Sequence, residues 1–450
     1  MTDPITQTGV DGTPYLAVDV QPDVVAGYFT LDVSRLDGPD VLLLHPEGTW
    51  LNVVCTVLEV EYQRGAARLA GLLNTTEAGT ATVILEDTDG SFDPMTGGEL
   101  IHKGSPIRFR AWSTDDGTGD PWDAVLFTGA VDRLAVEYRR DEPALVTITA
   151  LDVIGELARW ESEGYTEPGV GTGDDLAERL DRIVDETGVG ALSPDSDTVF
   201  TATLAPTVLA RPWQELQSAV EAELGRLWVD RDNQWVVRAR GAELTGTVRG
   251  TLSDVHGEAL TGVHCCIGAA RPGYGPENLT NRAIGARRLP SGDVGPAVLA
   301  RRDDAFSQER YGVGAVDRRS LELSTDVQVA AWCEAVVTGN TTPELRLDQV
   351  VPLPAPDDLD SALLAWPAVC ATDVGDRWLF RTHTYGGRLV EQTFGVLGIT
   401  ATLTPESWDF TWTTALAPDT GFTIGGGWFV AGVSVLDGND LLAPFSVPVT

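Results

Sequence analysis

The chain has 450 residues, enough for several domains that each bury a core, and its apolar fraction of 43% is ordinary for globular proteins, which argues against a disordered chain. Its 67 acidic residues outnumber 31 basic ones and give a net charge of −36 at pH 7. Such a surface repels phosphate backbones, so specific nucleic-acid binding is not expected. No apolar run is long enough to predict a membrane span.

Cysteine usage and the N-terminal residues both favour folding in a cytoplasm. The five cysteines, at positions 55, 265, 266, 333 and 370, are too scattered for a disulfide framework, and their odd number without a CxxC pair favours reduced thiols. The opening stretch MTDPITQTGVDGTP has neither the basic region nor the apolar run of a secretory signal.

Residues 49–152 predict a small antiparallel β-barrel or β-sandwich, because β-branched and alternating segments follow one another at hairpin spacing. The predicted strands cover Leu51–Gln63, Thr80–Leu85, Ile107–Ala111, Ala124–Tyr138 and Leu145–Ala150. The segment from Ala124 is long enough to be either a strand pair or one bent strand. No convincing helix is predicted before residue 152.

The segment Gly79–Pro94 is expected to end its strand in a tight turn. Asp87 and Asp89 have side chains that can accept hydrogen bonds from backbone N–H groups two residues on, and Gly90 can adopt positive φ. Pro94 stops any further ladder because it has no N–H. The four residues Asp87, Asp89, Gly90 and Pro94 therefore predict a barrel turn.

Two possible metal-binding patterns compete with structural roles. The acidic turn loosely resembles a calcium loop, but that pattern needs a Glu at the position where Gly98 stands, so a structural turn is favoured over an incidental cation. His256 and His264 lie near Cys265 and Cys266, yet no second ligand pair has finger-like spacing. We predict no metal site and no cofactor.

Residues 153–250 predict a smaller α+β domain, since apolar residues there recur at helical spacing. The expected elements are helices over Asp152–Trp160, Asp174–Thr187 and Pro212–Glu223, then a hairpin of Leu227–Val229 against Trp235–Val237. Gly188 and Gly225 are the expected ends of the second and third helices.

Residues 251–415 predict a second β-rich domain. Its strands are expected over Leu345–Val351, Arg377–Thr382, Leu389–Leu397, Ile399–Leu403 and Trp408–Ala415. One helix is predicted over Asp326–Val337, and its inward-facing residues are expected to be Val327, Ala330, Cys333, Val336 and Val337. The predicted fold is therefore mainly β, α+β overall, with two β-rich bodies in one chain separated by a smaller α+β domain.

The two ends of the chain share a repeated motif, FxxxVSxLDGxD. The positions in common are Phe29, Val33, Ser34, Leu36, Asp37, Gly38, Asp40 and Leu42 within the segment 1–48, and Phe429, Val433, Ser434, Leu436, Asp437, Gly438, Asp440 and Leu442 within the segment 416–450. The repeat has two interpretations: a reused strand-plus-turn unit, or a docking segment present twice in each chain.

Enzymatic motifs are absent from the sequence. It contains no HExxH, GxSxG or Walker loop and no GxGxxG before a helix, and no acidic pair stands out for acid/base chemistry, so an enzyme is not predicted. Trp112 and Trp122 flank a predicted loop and are the best candidates for stacking on a sugar, although tryptophans at strand ends more often belong to a core or an interface.

A series of motifs between residues 50 and 157 keeps a recognisable order. The motifs are WLNVVCTVLEVE from Trp50, QRG from Gln63, AGTATVILEDTDGSFDP from Ala78, KGSPIRFR from Lys103, LFTGAVDR from Leu126 and VTITALDVIGEL from Val146. In this order the chain resembles the minor tail proteins of long-tailed, siphovirus-type actinobacterial phages. The likeness continues through ELGRLWVDRDNQWVVRARG and TPESWDFTW, and so covers most of residues 50–415.

The resemblance implies a structural protein of the virion. Hub-type members of this family have two tube-like β-barrels separated by an α+β insertion, and three chains form a pseudo-sixfold ring. For this chain the resemblance therefore implies two tube-like antiparallel β-barrels, over residues 49–152 and 251–415. By this resemblance we expect a homotrimeric distal-tail hub that joins the tail tube to the tip and leaves an acidic channel for DNA. Its expected partners are the tail tube or distal tail protein ring, the tape measure protein and other minor tail proteins.

The alternatives differ in symmetry and in class. Within the structural class, the alternative is a hexameric distal tail protein with one tube-like barrel. In another class, the chain would be a receptor- or glycan-binding adsorption protein that uses exposed Trp and acidic loops. The expected location is the virion tail tip, after assembly in the host bacterial cytoplasm.

Overall fold

The computed structural model describes residues 14–21, 50–53, 56–66, 76–88, 90, 92–93, 101–114, 121–161, 163–165, 169–207, 209–239, 248–254, 264–274, 279–289, 300–338, 340–341, 345–353, 359–383, 389–416 and 423–424. Both copies of the FxxxVSxLDGxD motif lie outside the described residues, as do Asp89, Pro94, Gly98 and His256.

The fold is mainly β, as the sequence predicted. Its strands are β1 Tyr15–Val20, β2 Leu51–Asn52, β3 Thr56–Gly65, β4 Thr80–Asp87, β5 Pro106–Ser113, β6 Trp122–Glu137, β7 Ala144–Leu151, β8 Arg226–Val229, β9 Trp235–Arg238, β10 Val248–Ser253, β11 His264–Tyr274, β12 Arg282–Arg287, β13 Ala300–Asp303, β14 Ala315–Leu321, β15 Leu345–Leu353, β16 Arg377–His383, β17 Leu389–Leu403, β18 Trp408–Leu416 and β19 Thr423–Ile424. Fourteen of them belong to one continuous sheet.

The helices are fewer than the strands. They are α1 Val153–Leu157, α2 Leu176–Thr187, α3 Pro212–Glu223, α4 Ala305–Tyr311, α5 Asp326–Thr338 and α6 Leu359–Cys370. Strands and helices together form a first β body (β1–β7), a second β body (β10, β11 and β15–β18) and an α+β body (α1–α5, β8, β9 and β12–β14). The predicted domain boundaries stay predictions.

The first β body has the strand order β3-β4-β7-β6-β5-β1-β2, and every pairing in it is antiparallel. Its core follows from simple alternation: along β4, Ala81, Val83 and Leu85 are buried, whereas Thr80, Thr82 and Ile84 are not. The long segment from Trp122 is one bent strand, because its first half pairs with β5 and its second half with β7. Strand β1 was not predicted and completes this sheet beside β5.

The second β body closes into a six-stranded barrel in the order β16-β10-β11-β15-β18-β17, with β17 pairing back to β16. Strand β10 runs parallel to both β11 and β16, whereas the other pairings in the ring are antiparallel. The two strands predicted over Leu389–Leu397 and Ile399–Leu403 are one strand, β17, with an irregularity between Val396 and Gly398.

The two β bodies are joined by a seam, the antiparallel pairing of β3 with β17 from Gly65–Gly398 to Val60–Leu403. The backbones approach so closely there that a Cβ on Gly398 would overlap the carbonyl oxygen of Ala66. Helix α6 also contacts both bodies, β11 on one side and β6 on the other. One hydrophobic core therefore continues from the first β body into the second.

The α+β body has its own core, built from α1–α3, the β8–β9 hairpin, α5 and the sheet β13-β12-β14. Asp175 caps α2 in a capping box with Glu178, and Gly188 ends it with φ of 68°, as predicted. Helix α3 covers Pro212–Glu223 as predicted, and the left-handed residue that follows it is Leu224, one position before the predicted Gly225. Gly225 allows a close approach to β9, since a Cβ at this position would overlap the carbonyl oxygen of Arg238.

Helix α5 shows where the sequence pattern misassigned a face. The prediction that Val327 and Ala330 face inward is wrong, because Val327 is 78% exposed and Ala330 is exposed as well. The predicted Cys333, Val336 and Val337 are buried, together with Val329 and Trp332, which were not predicted. The helix is apolar on most sides, so periodicity alone could not choose the face that packs on β12. Segment 282–337 lies within the predicted second barrel domain, yet its buried side chains belong to the core of the α+β body.

Candidate functional site

A pocket of about 400 Å³ opens where the three bodies meet, and we call this region the junction. Ala66, which follows β3, lines it from the first β body, and Trp228 and Arg231 line it from the β8–β9 hairpin. Val374 and the neighbouring residues before β16 complete the wall. The hairpin forms as predicted, with Asn233 at positive φ in its turn.

A buried carboxylate between two guanidinium groups ties the junction together. Asp373 Oδ1 lies 2.6 Å from Nη1 of Arg64 at the end of β3, and Asp373 Oδ2 lies 3.2 Å from Nε of Arg231 in the hairpin. The backbone N–H of Arg231 also donates to Oδ2 at 3.1 Å, and its guanidinium donates to the carbonyl of Ala371. One side chain thus connects all three bodies.

Arg64, Arg231 and Asp373 form a triad in which opposite charges stabilise each other. Burial works against the charged form of Asp373, but the guanidinium groups of Arg64 and Arg231 lower its pKa below the ordinary value. Burial likewise disfavours the charged form of Arg64, whose pKa is nevertheless raised by Asp373 and by Tyr62. The Arg64 side chain is only 4% exposed, so removal of its partner would leave a charge in the interior.

Apolar and backbone contacts reinforce the junction. Trp228, Val236 and Val374 form a small core of their own, and Gly375, at φ of 93°, allows the Trp228 ring to approach the backbone before β16. The hydroxyl of Thr76 donates to the carbonyl of Leu227 and so links the entry to β4 with β8. The hairpin is therefore held from both β bodies.

Asp152 fixes the joint between the first β body and the α+β body. It is 3% exposed, and its Oδ2 accepts from the N–H of Gly79 at 2.7 Å while its Oδ1 accepts from the N–H of Gly155 at 3.1 Å, which caps α1. Burial raises the pKa of Asp152 to about 7.

Asparagine at position 152 should destabilise the protein by about 1–3 kcal/mol, because its NH₂ group would face one of the two N–H donors and leave it unsatisfied. The matched control is Asp175→Asn, at a partly exposed cap whose side chain accepts a single backbone N–H, that of Glu178 in the capping box. Since Asn caps helices as well as Asp does, that change should cost less than about 0.5 kcal/mol. Urea unfolding of both variants measures the difference, and equal losses would contradict the bridging role of Asp152.

A second buried charge network lies inside the α+β body. Arg179 is fully buried on α2, contacts Asp174 at 3.2 Å and Glu322 at 3.5 Å, and donates to the carbonyls of Gly171 and Ala205. Burial raises the pKa of Glu322 to about 7, against the lowering effect of Arg179 and Arg288. Glu322 therefore holds a proton more tightly in the folded chain than in the unfolded one.

A raised pKa of a carboxyl group makes stability fall as the pH rises. The contribution of Glu322 is complete below the ordinary pKa near 4.5 and is lost as the pH rises through about 7. Between pH 5 and 8, we expect wild type to lose about 1–3 kcal/mol more unfolding free energy than Glu322→Gln, which cannot titrate. Glu334→Gln, at an exposed ion pair with Arg302, should follow wild type. Parallel pH profiles of wild type and Glu322→Gln would contradict this assignment.

The predicted barrel turn is only partly within the described residues. Asp87 is buried at the end of β4, its Oδ1 accepts from the N–H of Gly90 at 2.9 Å, and its Oδ2 accepts from the N–H of Phe92 at 3.1 Å. Gly90 has φ of 76°, and Phe92 packs into the core. The turn lies at the end of β4, whereas the joint at Asp152 and the junction residue Thr76 lie near its beginning. The turn is therefore separate from the junction.

The two tryptophans considered for sugar stacking do not share a surface. Trp112 pairs across the ladder with Asp123, the residue next to Trp122, so the two rings lie on opposite faces of the sheet. Trp112 contacts the ring of Tyr15 at 4.7 Å, and Trp122 packs against the core.

The junction was not predicted from the sequence. Among the described residues, no three His, Cys, Asp or Glu side chains form a group that could hold a metal ion. Within the same part of the chain, no helix is both long and apolar enough to cross a membrane.

Two solved structures share the fold of this chain along almost their whole length. The 43 kDa tail protein of prophage MuSo2 from Shewanella oneidensis is 11% identical in sequence, and it matches with a TM-score of 0.52 over 90% of this chain and 99% of its own. The tail protein from Neisseria meningitidis MC58 is 10% identical, with a TM-score of 0.51 over 89% of this chain and 96% of its own. No protein-family model and no curated protein matches the sequence. The chain therefore has a fold found in phage tail proteins.

Proposed function

We propose that this protein is a structural component of a phage tail, in which it forms the hub ring that connects the tail tube to the distal tip. The observation that carries the proposal is the seam, which joins two β bodies of one chain edge to edge in a single sheet. Each chain then contributes two adjacent units, and three chains contribute six to match a hexameric tube. The fold shared with two tail proteins supports the tail assignment.

The net charge of −36 supports a channel for DNA. A lumen lined by carboxylates repels the phosphate backbone, so DNA passes without being bound. The two copies of the FxxxVSxLDGxD motif, with Phe29 and Phe429 as their first residues, are proposed as docking segments, so that a trimer presents six of them.

The proposed partners follow from this place in the particle. They are two further copies of the chain, the tail tube or distal tail protein ring, the tape measure protein and other minor tail proteins. The proposed phage is a siphovirus-type phage of an actinobacterial host, in whose cytoplasm the tail would assemble. The proposed role needs no cofactor and no catalysis.

Cryo-electron microscopy of the tail tip, with the symmetry determined rather than imposed, tests the proposal. The expected result is three copies in one ring around an electronegative lumen. Six copies per ring would support the alternative of a hexameric distal tail protein, and an electropositive lumen would contradict the DNA channel. Clearing of host cell wall in a zymogram would contradict a non-enzymatic role.

The adsorption alternative makes a separate prediction. A glycan-binding protein that stacks sugars on its tryptophans should lose glycan-array binding on Trp112→Ala and Trp122→Ala. Because the two rings lie on opposite faces of the sheet, the structural role is favoured.

A further inference from the structure

The three-stranded sheet β13-β12-β14 has one covered face and one open face. On its inner face, Ala283 and Gly285 of β12 pack against α5, and a Cβ on Gly285 would meet Val329 and Cys333. The ladder register places Arg282, Arg301 and Arg319 on the other face, beside Asp303 and Asp317. We call this outer surface the arginine face.

The arginine face differs in charge from the rest of the chain. Segment 282–319 contains eight arginines and five acids, although the whole chain has a net charge of −36. Arg282 and Arg301 share the carboxylate of Asp303, each at 2.8 Å, and Arg319 contacts Asp317 at 2.9 Å. Three guanidinium groups thus face two carboxylates, and the side chains of Arg301 and Arg319 are each 57% exposed.

Exposed apolar side chains border the same sheet. Phe306 on α4 is 73% exposed, and Val313, just after α4, is 56% exposed. Both belong to the connection between β13 and β14, which Asn281 holds through bonds to Ser307 and to the carbonyl of Gly312. Arginine and exposed aromatic residues are enriched in protein interfaces, so this surface has the composition of a docking site.

The complementary charge lies on α2 of the same fold. The two arginines of this helix, Arg179 and Arg182, both form ion pairs with Asp174. Four acids remain exposed on the helix: Glu178, Asp181, Asp185 and Glu186. Of these, Glu178, Asp181 and Asp185 lie three or four residues apart and so form one acidic stripe.

The arginine face and the acidic stripe cannot meet within one chain. Helices α3 and α5 pack on the inner side of the sheet, and α2 packs on α3. Leu180 and Ile183 turn the other side of α2 to the same core that β12 joins through Ala283, so the acidic stripe and the arginine face both point away from this core. Complementary surfaces that point away from each other on one subunit are the arrangement that repeats head to tail around a ring.

We propose that the arginine face docks on the acidic α2 stripe of a neighbouring copy of this chain. The inference rests on the proposed ring and names one contact that holds it. Complementary charge lets highly acidic subunits associate despite their mutual repulsion, and it makes their association sensitive to salt.

The experiment measures self-association of the full chain by analytical ultracentrifugation at low and at high NaCl concentration. Arg301→Glu/Arg319→Glu should weaken association about tenfold or more at low salt, and Glu178→Arg/Asp181→Arg/Asp185→Arg should do the same. A chain that carries all five changes should regain association, since the reversed charges attract again. The matched control is Arg133→Glu/Arg140→Glu, which makes the same change in net charge at two exposed arginines of the first β body. It should associate nearly as wild type does.

Circular dichroism and thermal unfolding of each variant separate lost docking from lost folding. Wild type that stays monomeric, two reversals that associate normally, or a combined variant that fails to recover while folded would each overturn the proposal. So would an oligonucleotide that binds wild type and is released by Arg301→Glu/Arg319→Glu, because the face would then serve a polyanion. These results leave the tail assignment intact, since the position of the protein in the particle is determined separately by microscopy.

Discussion

Asp373→Asn should destabilise the protein by about 3–5 kcal/mol, because it leaves the guanidinium of Arg64 buried without a counter-charge. The same change weakens the bonds of Arg231, so we expect the β8–β9 hairpin to loosen from both β bodies. Guanidinium chloride unfolding gives the free energy, and hydrogen exchange at residues 226–238 reports on the hairpin.

A double-mutant cycle distinguishes a buried charge from general damage. Arg64→Met/Asp373→Asn removes both charged groups, and replacing a buried pair by uncharged side chains is often nearly neutral. The double variant should therefore be more stable than Asp373→Asn alone. Glu334→Ala, which breaks an exposed ion pair with Arg302, should cost less than about 1 kcal/mol. If the losses of the two single variants simply added, the triad would not act as a unit.

The second large effect is expected at the seam. Alanine at position 398 places a Cβ against the backbone of Ala66, and no side-chain rotation can relieve that overlap. We expect Gly398→Ala to cost about 3 kcal/mol or more and to separate β3 from β17. Hydrogen exchange should rise at residues 60–65 and 398–403 and stay low in the β6–β7 pairing.

Gly188 provides the control, because it has positive φ but open space around its Cα. Gly188 ends α2 at φ of 68°, and no atom would lie within 4 Å of a Cβ at this position, so Gly188→Ala should cost only about 1 kcal/mol. Equal losses at both positions would contradict a cost from close approach at the seam.

Local signals predicted much of the β structure. Alternation along β4 and β7 reflects one buried and one open face, and the caps of α2 and the turn of the β8–β9 hairpin depend on neighbouring residues only. The same reasoning missed α6, because Pro367 suggests a break inside the helix. It also missed β12–β14, which are short and rich in arginine.

The junction could not be found by local reasoning. Arg64 and Asp373 are 309 residues apart in sequence, and each is one of many charged residues with similar neighbours. Their meeting depends on the pairing of β3 with β17, which no periodicity encodes. The arginine face was missed for a related reason, since the register of β12 with β13 and β14 decides which arginines share a side.

The seam also determines the order in which the chain can fold. Strand β3 emerges early in synthesis, whereas its partner β17 follows roughly 300 residues later. Until β17 has been synthesised, the β3 edge of the first β body stays unpaired. An unpaired edge invites pairing with other chains. The acids Glu59 and Glu61 point away from the core on β3 and carry like charge from one nascent chain to the next, which keeps those edges apart until the C-terminal strands arrive.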